Sequence, residues 1–140
     1  MTRSISPLLL DTNAAIWLSR DELKASASEK LDEAARVGVA TYLSPITAWE
    51  VGLLVAKNRL NLLMTPRRWF ARLLDMPGIS LADLSPDILM ASSFLPGTPP
   101  RDPADRILLA TARELGATLV TRDRLILKYG EDGQVSTIAC

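Results

Sequence analysis

The sequence predicts an α/β fold in which a parallel sheet of about five strands is flanked by helices. Short apolar segments alternate along the chain with segments of helical periodicity, as is typical of a parallel sheet with helices on both faces. The first apolar segment, Leu8–Leu10, has no polar residue, as expected for a strand that is buried on both sides. The length of 140 residues fits one domain, so residues 1–140 are expected to form a single unit.

Five strands are predicted from runs of apolar and β-branched residues. Residues that interrupt regular secondary structure precede two of these strands: Pro77-Gly78 precedes the third, and Gly116 precedes the fourth. The fifth run is the weakest. The predicted strands cover residues 6–11, 39–43, 79–84, 118–121 and 135–138.

Five helices are predicted between these strands from capping signals and apolar spacing. Ser26 and Glu29 have the spacing of a capping box, and Gly38 supplies a stop. At Ser85 and Asp102, a capping residue directly precedes a proline, which is favoured in the first turn of a helix. The predicted helices cover residues 26–37, 47–60, a segment that begins at 65–66, a segment that begins at 85–86, and 102–115.

The composition excludes several kinds of site. The chain has no histidine, so it cannot form a histidine-based acid–base pair, catalytic triad or zinc site. Its only cysteine is Cys140, which excludes an internal disulfide and a cysteine-rich metal site. The 16 basic and 16 acidic residues give zero net charge. Any contact with nucleic acid must therefore depend on a local patch or a bound metal.

Apolar runs are short throughout the sequence. None approaches the roughly 18 residues of a membrane span, and Leu8–Leu10 is too short for the apolar region of a signal peptide. The single cysteine permits a reducing compartment. A cytoplasmic protein without membrane contact is the expectation.

Five acidic residues fall where predicted strands end or predicted helices begin. The carboxyl ends of parallel strands share one edge of a sheet, and ligands usually bind there, so these residues are expected to converge. They are Asp11 after the first strand, Glu50 in the first turn of the second predicted helix, Asp102 and Asp105 at the start of the helix that follows the proline-rich segment (residues 95–103), and Asp123 after the fourth strand.

A simpler interpretation is open for each acid taken alone. Asp11, Asp102 and Asp123 could each cap a helix, and Thr47 with Glu50 has the spacing of a capping box. Together, however, they would repel: two carboxylates about 4 Å apart cost roughly 4 kcal/mol at an effective dielectric constant near 20. Such a group needs a cation or shifted pKa values. An oxygen-only site suits Mg²⁺ or Mn²⁺.

Four segments, in this order, resemble the PIN-domain ribonucleases of the VapC toxin type. The resemblance spans nearly the whole chain and implies a PIN-like single domain over residues 1–140. The segments are Leu8-Leu9-Leu10-Asp11-Thr12-Asn13, Ser44-Pro45-Ile46-Thr47-Ala48-Trp49-Glu50-Val51, Arg101-Asp102-Pro103-Ala104-Asp105-Arg106 and Leu119-Val120-Thr121-Arg122-Asp123.

The resemblance also assigns roles to residues. It matches the catalytic and metal-binding acids of the family to Asp11, Glu50, Asp105 and Asp123. Asp102, Thr121 and Asn13 are expected to support that site. The flanking residues Arg106, Arg122 and Arg124 are candidates for contact with RNA phosphate, or alternatively for salt bridges to the same acids.

By the same resemblance, the protein is expected to be an Mg²⁺- or Mn²⁺-dependent endoribonuclease toxin. It would hydrolyse tRNA, rRNA or mRNA with water, leaving 5′-phosphate and 3′-OH ends. Family members form dimers and are inhibited by a small antitoxin, so a homodimer and a VapB-like antitoxin are the expected partners.

The aromatic residues and one apolar run allow two interpretations. Trp17, Trp49, Trp69 and Phe70 are expected mainly in the core, with a groove for an apolar antitoxin segment as the alternative. The run at residues 60–64 predicts a dimer or partner surface.

Two other classes of protein are alternatives. A phosphatase of the haloacid dehalogenase type needs a second aspartate where Asn13 stands, and a later basic lysine that is not evident. A receiver-like binding module needs Lys-Pro near the last strand, where Thr121-Arg122-Asp123 stands. A non-catalytic PIN domain should lack at least one acid. The ribonuclease hypothesis is therefore favoured.

Overall fold

The protein, described over residues 5–140 by a computed structural model, contains one sheet of five parallel strands. The strands are β1 (Leu8–Leu10), β2 (Thr41–Leu43), β3 (Ile79–Leu81), β4 (Thr118–Thr121) and β5 (Ser136–Ala139). Their order in the sheet is β3-β2-β1-β4-β5, so β1 lies at the centre. The predicted parallel sheet and α/β class are confirmed, with the first three strands shorter than expected.

Within residues 5–140, seven helices flank the sheet. They are α1 (Thr12–Ser19), α2 (Ala25–Arg36), α3 (Pro45–Ala56), α4 (Pro66–Leu74), α5 (Pro86–Ala91), α6 (Pro103–Leu115) and α7 (Arg124–Glu131). Helices α1 and α7 are missing from the predicted set, although their caps, Asp11 and Asp123, are predicted as capping residues and act as caps here. Among residues 5–140, no helix is long and apolar enough to cross a membrane.

Two predicted helix starts are wrong. Lys24 precedes α2 and makes no side-chain capping bond, so Ser26 and Glu29 do not form a capping box. Helix α3 begins at Pro45, with the Ser44 hydroxyl accepting a hydrogen bond from the amide of Ile46. The same serine–proline signal that begins α5 therefore sets the start of α3. Glu50 consequently lies in the second turn, where it cannot complete a capping box.

The two faces of β1 bury different sets of helices because successive side chains of a strand point to opposite sides. Leu8 and Leu10 pack with buried residues of α1, α2, α3 and α4. Leu9 instead packs with buried residues of α6 and α7, including Leu108 and Ile126. The central strand is thus covered on both faces, which explains its wholly apolar sequence.

The strand register brings the carboxyl ends of three strands level with one another. Leu10 pairs with Leu43 of β2 on one side and with Val120 of β4 on the other. The next residue, Asp11, donates its backbone amide to the Val120 carbonyl at 3.1 Å. Because α1, α3 and α7 follow β1, β2 and β4 directly, their first turns meet at this edge.

The aromatic residues differ in their surroundings. Trp69 is buried and lies 6.5 Å from Phe70 between ring centroids, as expected for the core. The expectation of a core position is wrong for Trp49, whose side chain is 59% exposed. Trp49 is the fifth residue of α3, and its side chain faces solvent.

The apolar run at residues 60–64 does not form a continuous surface. Leu60, Leu62 and Met64 are partly buried against the core beneath α3 and α4. Only Leu63 is fully exposed. Alternate residues of this segment are therefore partly buried, and the predicted partner surface is reduced to one apolar side chain.

Candidate active site

Asp11 occupies the centre of the edge formed by the carboxyl ends of the strands. Its carboxylate is buried and caps α1, with Oδ1 accepting from the amide of Ala14 at 2.7 Å. Oδ2 accepts from the hydroxyl of Thr121 at 2.5 Å. Burial raises the pKa of Asp11, and the hydrogen bonds from Thr121 and Ala14 act in the opposite direction. The nearby Asp123 raises this pKa further.

Thr121 joins two of the predicted site acids. Its hydroxyl donates to Asp11 and accepts the backbone amide of Asp123 at 3.0 Å. The carboxylate of Asp123 caps α7 through Oδ1, which accepts from the amides of Leu125 and Ile126. One buried hydroxyl at the end of β4 thus holds the carboxylate of Asp11 and the backbone of Asp123, and this geometry fits the supporting role expected of Thr121.

Glu50 reaches the same edge from α3 through a pair of threonines. The Thr12 hydroxyl donates to Oε1 of Glu50, and the hydroxyl oxygens of Thr12 and Thr47 are 3.1 Å apart. A hydroxyl has one proton, so Thr47 is the donor to Thr12. Burial raises the pKa of Glu50; the Thr12 hydrogen bond opposes this, and Asp102 and Asp11 add to it.

These two threonines were not predicted as site residues. The available signal is their position: Thr12 directly follows Asp11, and Thr47 lies one helical turn before Glu50. Both are buried although polar, and their hydrogen bonds to each other and to Glu50 account for that burial.

Two further acids lie at the start of α6. Asp102 caps the helix, with Oδ1 accepting from the amides of Ala104 and Asp105. Asp105 is half-buried, and burial together with the charges of four other acids raises its pKa to about 7. Those charges belong to Asp102, Asp123, Glu50 and Asp11. The five acids that the sequence places at strand ends and helix starts are therefore close enough to influence one another.

The predicted arginines are held differently from one another. Arg106 donates from Nε to the Pro100 carbonyl at 2.8 Å. Arg122 donates to the Cys140 carbonyl, and its guanidinium carbon is 3.7 Å from the centre of the Trp17 ring. These contacts tie both side chains to the protein. Arg124, the first residue of α7, is exposed beside Asp123 and is the arginine of the three best placed to meet a ligand.

Asn13 is exposed in the first turn of α1. It stands two residues after Asp11, with Thr12 between them directed inward toward Glu50. Its supporting role stays a prediction.

The donor set fits a hard divalent cation. All candidate ligands are carboxylate oxygens, which Mg²⁺ and Mn²⁺ prefer. Within residues 5–140, no three acidic or cysteine side chains lie close enough together to form a preformed metal-binding cluster. The cap bonds hold the carboxylates of Asp11, Asp102 and Asp123 against the starts of their own helices. For Asp102 and Asp123 these bonds use only Oδ1, so Oδ2 is left for another partner.

Asp105→Asn is expected to raise the melting temperature of the metal-free protein by a few degrees near neutral pH. The unfolded pKa of this carboxyl is 3.8 and the folded pKa is about 7, so between these values the folded state binds more protons. Stability therefore falls as pH rises through that window, and asparagine removes this cost. Thermal unfolding in EDTA at several pH values measures the difference, which should disappear below the lower pKa. An equal or larger gain in melting temperature at the lowest pH values would contradict the raised pKa assigned to Asp105.

Two clefts adjoin the acids. One, of about 370 Å³, lies between α3 and the start of α6 and includes Trp49 and Glu50. The other, of about 540 Å³, lies between the proline-rich segment and α7 and includes Asp105. Asp102 lines both. A chain-like ligand could therefore extend to either side of the acids.

Comparisons with known proteins agree with this architecture. The sequence pattern of the PIN domain family matches residues 8–132. Ribonuclease VapC22 of Mycobacterium tuberculosis (strain ATCC 25618 / H37Rv) is 31% identical over 127 residues, covering 89% of this chain and 93% of that protein.

Two solved structures share the fold. VapBC2 from Rickettsia felis, bound to a DNA fragment from its promoter, superposes with a TM-score of 0.69 at 16% identity, covering 95% of this chain and 98% of that one. DNA-bound VapBC from Salmonella typhimurium gives 0.65 at 18% identity, covering 96% and 98%. The phosphatase and receiver-like alternatives are thereby excluded. The chain belongs to the PIN domain family and, within it, to the VapC-type ribonuclease toxins.

Proposed function

We propose that this protein is a metal-dependent endoribonuclease toxin that hydrolyses phosphodiester bonds in tRNA, rRNA or mRNA. The observation that supports this most is the placement of five carboxylates at one edge of the sheet, in the fold of a ribonuclease family. Incubating the purified protein with total RNA and sequencing the new ends tests the proposal. Reproducible cuts that depend on Asp11 are the expected result.

In this proposal Asp11, Glu50, Asp105 and Asp123 hold Mg²⁺ or Mn²⁺. When bound, the ion supplies a Lewis acid that activates water for attack on phosphorus and stabilises negative charge on the phosphate. Thr121 and Thr12 keep the carboxylates of Asp11 and Glu50 in fixed orientations by donating to them. Asp102 adds negative charge that attracts the cation.

The chain offers a reason to expect water as the nucleophile. It has no histidine, the residue best suited to take a proton from a ribose 2′-OH near neutral pH. Attack by water on phosphorus, with departure of the 3′ oxygen, leaves 5′-phosphate and 3′-OH ends. Asp105 has a pKa of about 7 in the metal-free protein because of its burial and its acidic neighbours, and a bound cation would favour its charged form.

Arg124→Gln is expected to weaken RNA binding a few-fold without changing the affinity for Mn²⁺. Arg124 is exposed next to Asp123 and would contact one phosphate. For single strands, each phosphate contact contributes about 0.7 to the slope of log affinity against log salt, so the slope should fall by about that amount. Fluorescence anisotropy over a salt series measures the affinity for RNA and the slope of that affinity against salt.

Arg36→Gln is the matched control, because Arg36 is exposed at the end of α2, toward the opposite edge of the sheet. An equal change in both variants would assign the effect to overall charge, against the proposed phosphate contact.

We also propose a VapB-like antitoxin as partner, which neutralises the protein by covering the acidic edge. The structural relatives are VapBC structures, which supports the pairing. Co-purification with the product of a neighbouring short gene tests it. A homodimer is proposed as well, and the exposed side chains of Leu89, Met90 and Phe94 on and after α5 are a candidate surface for it. Sedimentation equilibrium tests that assembly.

A further inference from the structure

One face of α3 carries an exposed stripe that begins beside the acidic edge. Trp49 and Leu53 are four residues apart on α3, so they lie along the same face of the helix, and Lys57 follows at the same spacing directly after the helix ends. Trp49 is 59% exposed and Leu53 is 36% exposed. At 1.5 Å per residue, the stripe extends about 12 Å away from the edge. It offers, in order, an aromatic ring, an aliphatic side chain and a cation.

The stripe forms one wall of a cleft that is continuous with the acidic site. The opposite wall is the start of α6, at Pro103 and Ala104. Glu50 and Asp102 also line the cleft, and Arg59 adds a second cation beside Lys57. We call this cleft, of about 370 Å³, the Trp49 cleft; its size is within the range of roughly 300–1,000 Å³ that small-ligand clefts have.

We propose that the Trp49 cleft binds an unpaired base of the RNA substrate, with the indole of Trp49 as the stacking surface. The phosphates that follow this base would lie near Lys57 and Arg59. This inference rests on the proposed function and extends it, because it makes the substrate at this position single-stranded. Trp49 is assigned as a specificity-determining residue that touches the nucleotide next to the scissile phosphate.

The order of the side-chain types along the cleft, aromatic first and cationic last, favours RNA over an apolar protein segment as the ligand. Base–aromatic stacking together with backbone cations is the usual way in which proteins hold single-stranded nucleic acid. Here the aromatic ring and Glu50, a proposed metal ligand, line the same cleft, and Lys57 and Arg59 line it farther along the chain. A base at Trp49 would therefore be next to the reacting phosphate, and the outer phosphates would be next to positive charge. A purely apolar partner segment would leave Lys57 and Arg59 without a complementary group.

The experiment compares two labelled probes, each about ten nucleotides long: oligoadenylate, and the same sugar–phosphate backbone without bases. Binding is measured by anisotropy in the Asp11→Asn protein, in which the probes are not cut. Stacking of a base on an aromatic side chain corresponds to about a 5- to 150-fold gain in affinity. The parent should therefore prefer oligoadenylate by that factor. Adding Trp49→Ala should remove the preference and leave the affinity for the backbone probe unchanged.

Trp49→Phe is the conservative variant and should restore most of the preference, because phenylalanine keeps an aromatic face. Leu63→Ala is the matched control, since Leu63 is fully exposed but lies outside the cleft, and it should change neither affinity. The exposure of Trp49 means that its replacement should not unfold the protein, which circular dichroism verifies.

Two outcomes would overturn the inference: equal affinity of the parent for both probes, or an unchanged preference in the Trp49→Ala protein. If that variant kept its preference for bases and lost affinity for a co-purifying antitoxin, the cleft would belong to the protein partner instead. Cleavage of total RNA by the wild-type chain is scored separately. A wild-type protein that cuts RNA while the base preference is absent therefore contradicts the Trp49 assignment and leaves the proposed function intact.

Discussion

Asp11→Asn is expected to lower RNA cleavage at least about 100-fold while the protein stays folded. Asparagine keeps the size of the side chain and an oxygen that can accept from the Ala14 amide, so the cap of α1 is preserved. It removes the negative charge from the centre of the acidic edge. Asp11 is the acid that follows the central strand, so no neighbouring carboxylate can take its position.

Cleavage of total RNA at matched protein concentration measures the loss, and a thermal melt verifies folding. Asp75→Asn is the matched control, since it makes the same chemical change at an exposed aspartate at the end of α4. That variant should keep wild-type activity. Wild-type activity in the Asp11→Asn protein would show that the site is assigned to the wrong residues.

Removing divalent ions is expected to stop cleavage completely. Burial and the charges of the neighbouring acids both disfavour the ionised form of Asp105, and the chain has no histidine that could act as the general base instead. EDTA should therefore reduce cleavage to the level of a protein-free sample. Mg²⁺ or Mn²⁺ in excess should restore it, whereas Ca²⁺, which prefers more ligands at longer distances, should restore little.

The metal assay follows a single labelled RNA over time, with EDTA added before and after the reaction has begun. The Asp11→Asn protein with excess Mn²⁺ is the control for a contaminating nuclease. Undiminished cleavage in EDTA would contradict a metal-dependent reaction, whatever the effect of the Asp11 substitution.

The positions of the acids could be predicted from the sequence because each follows a local signal. Asp11 and Asp123 come directly after apolar strands, and Asp102 precedes a proline at the start of a helix. Parallel strands then bring these local signals to one edge. The start of α3 was missed although Ser44-Pro45 carries the same signal as Ser85-Pro86, because Thr47 and Glu50 offered a competing capping-box pattern.

The contacts that orient the acids could not be predicted, because they join residues that are distant in sequence. Thr12 and Thr47 are 35 residues apart, and Thr121 and Asp11 are 110 residues apart. The exposure of Trp49 is likewise a tertiary property: the spacing of apolar residues on α3 does not show which face meets the sheet. Arg106 and Arg122 have the charge expected for phosphate binding, yet the loop at Pro100 and the ring of Trp17 engage them.

The chemistry of the newly formed RNA ends tests the central claim most directly, namely that the acidic edge supports hydrolysis by water. Fragments from a defined RNA can be probed with a 5′-phosphate-dependent exonuclease and with a ligase that requires a 3′-OH. The account predicts 5′-phosphate and 3′-OH ends at every cut. Fragments that end in 2′,3′-cyclic phosphate, with a 5′-OH on the other product, would mean that the ribose 2′-OH is the nucleophile and would contradict it.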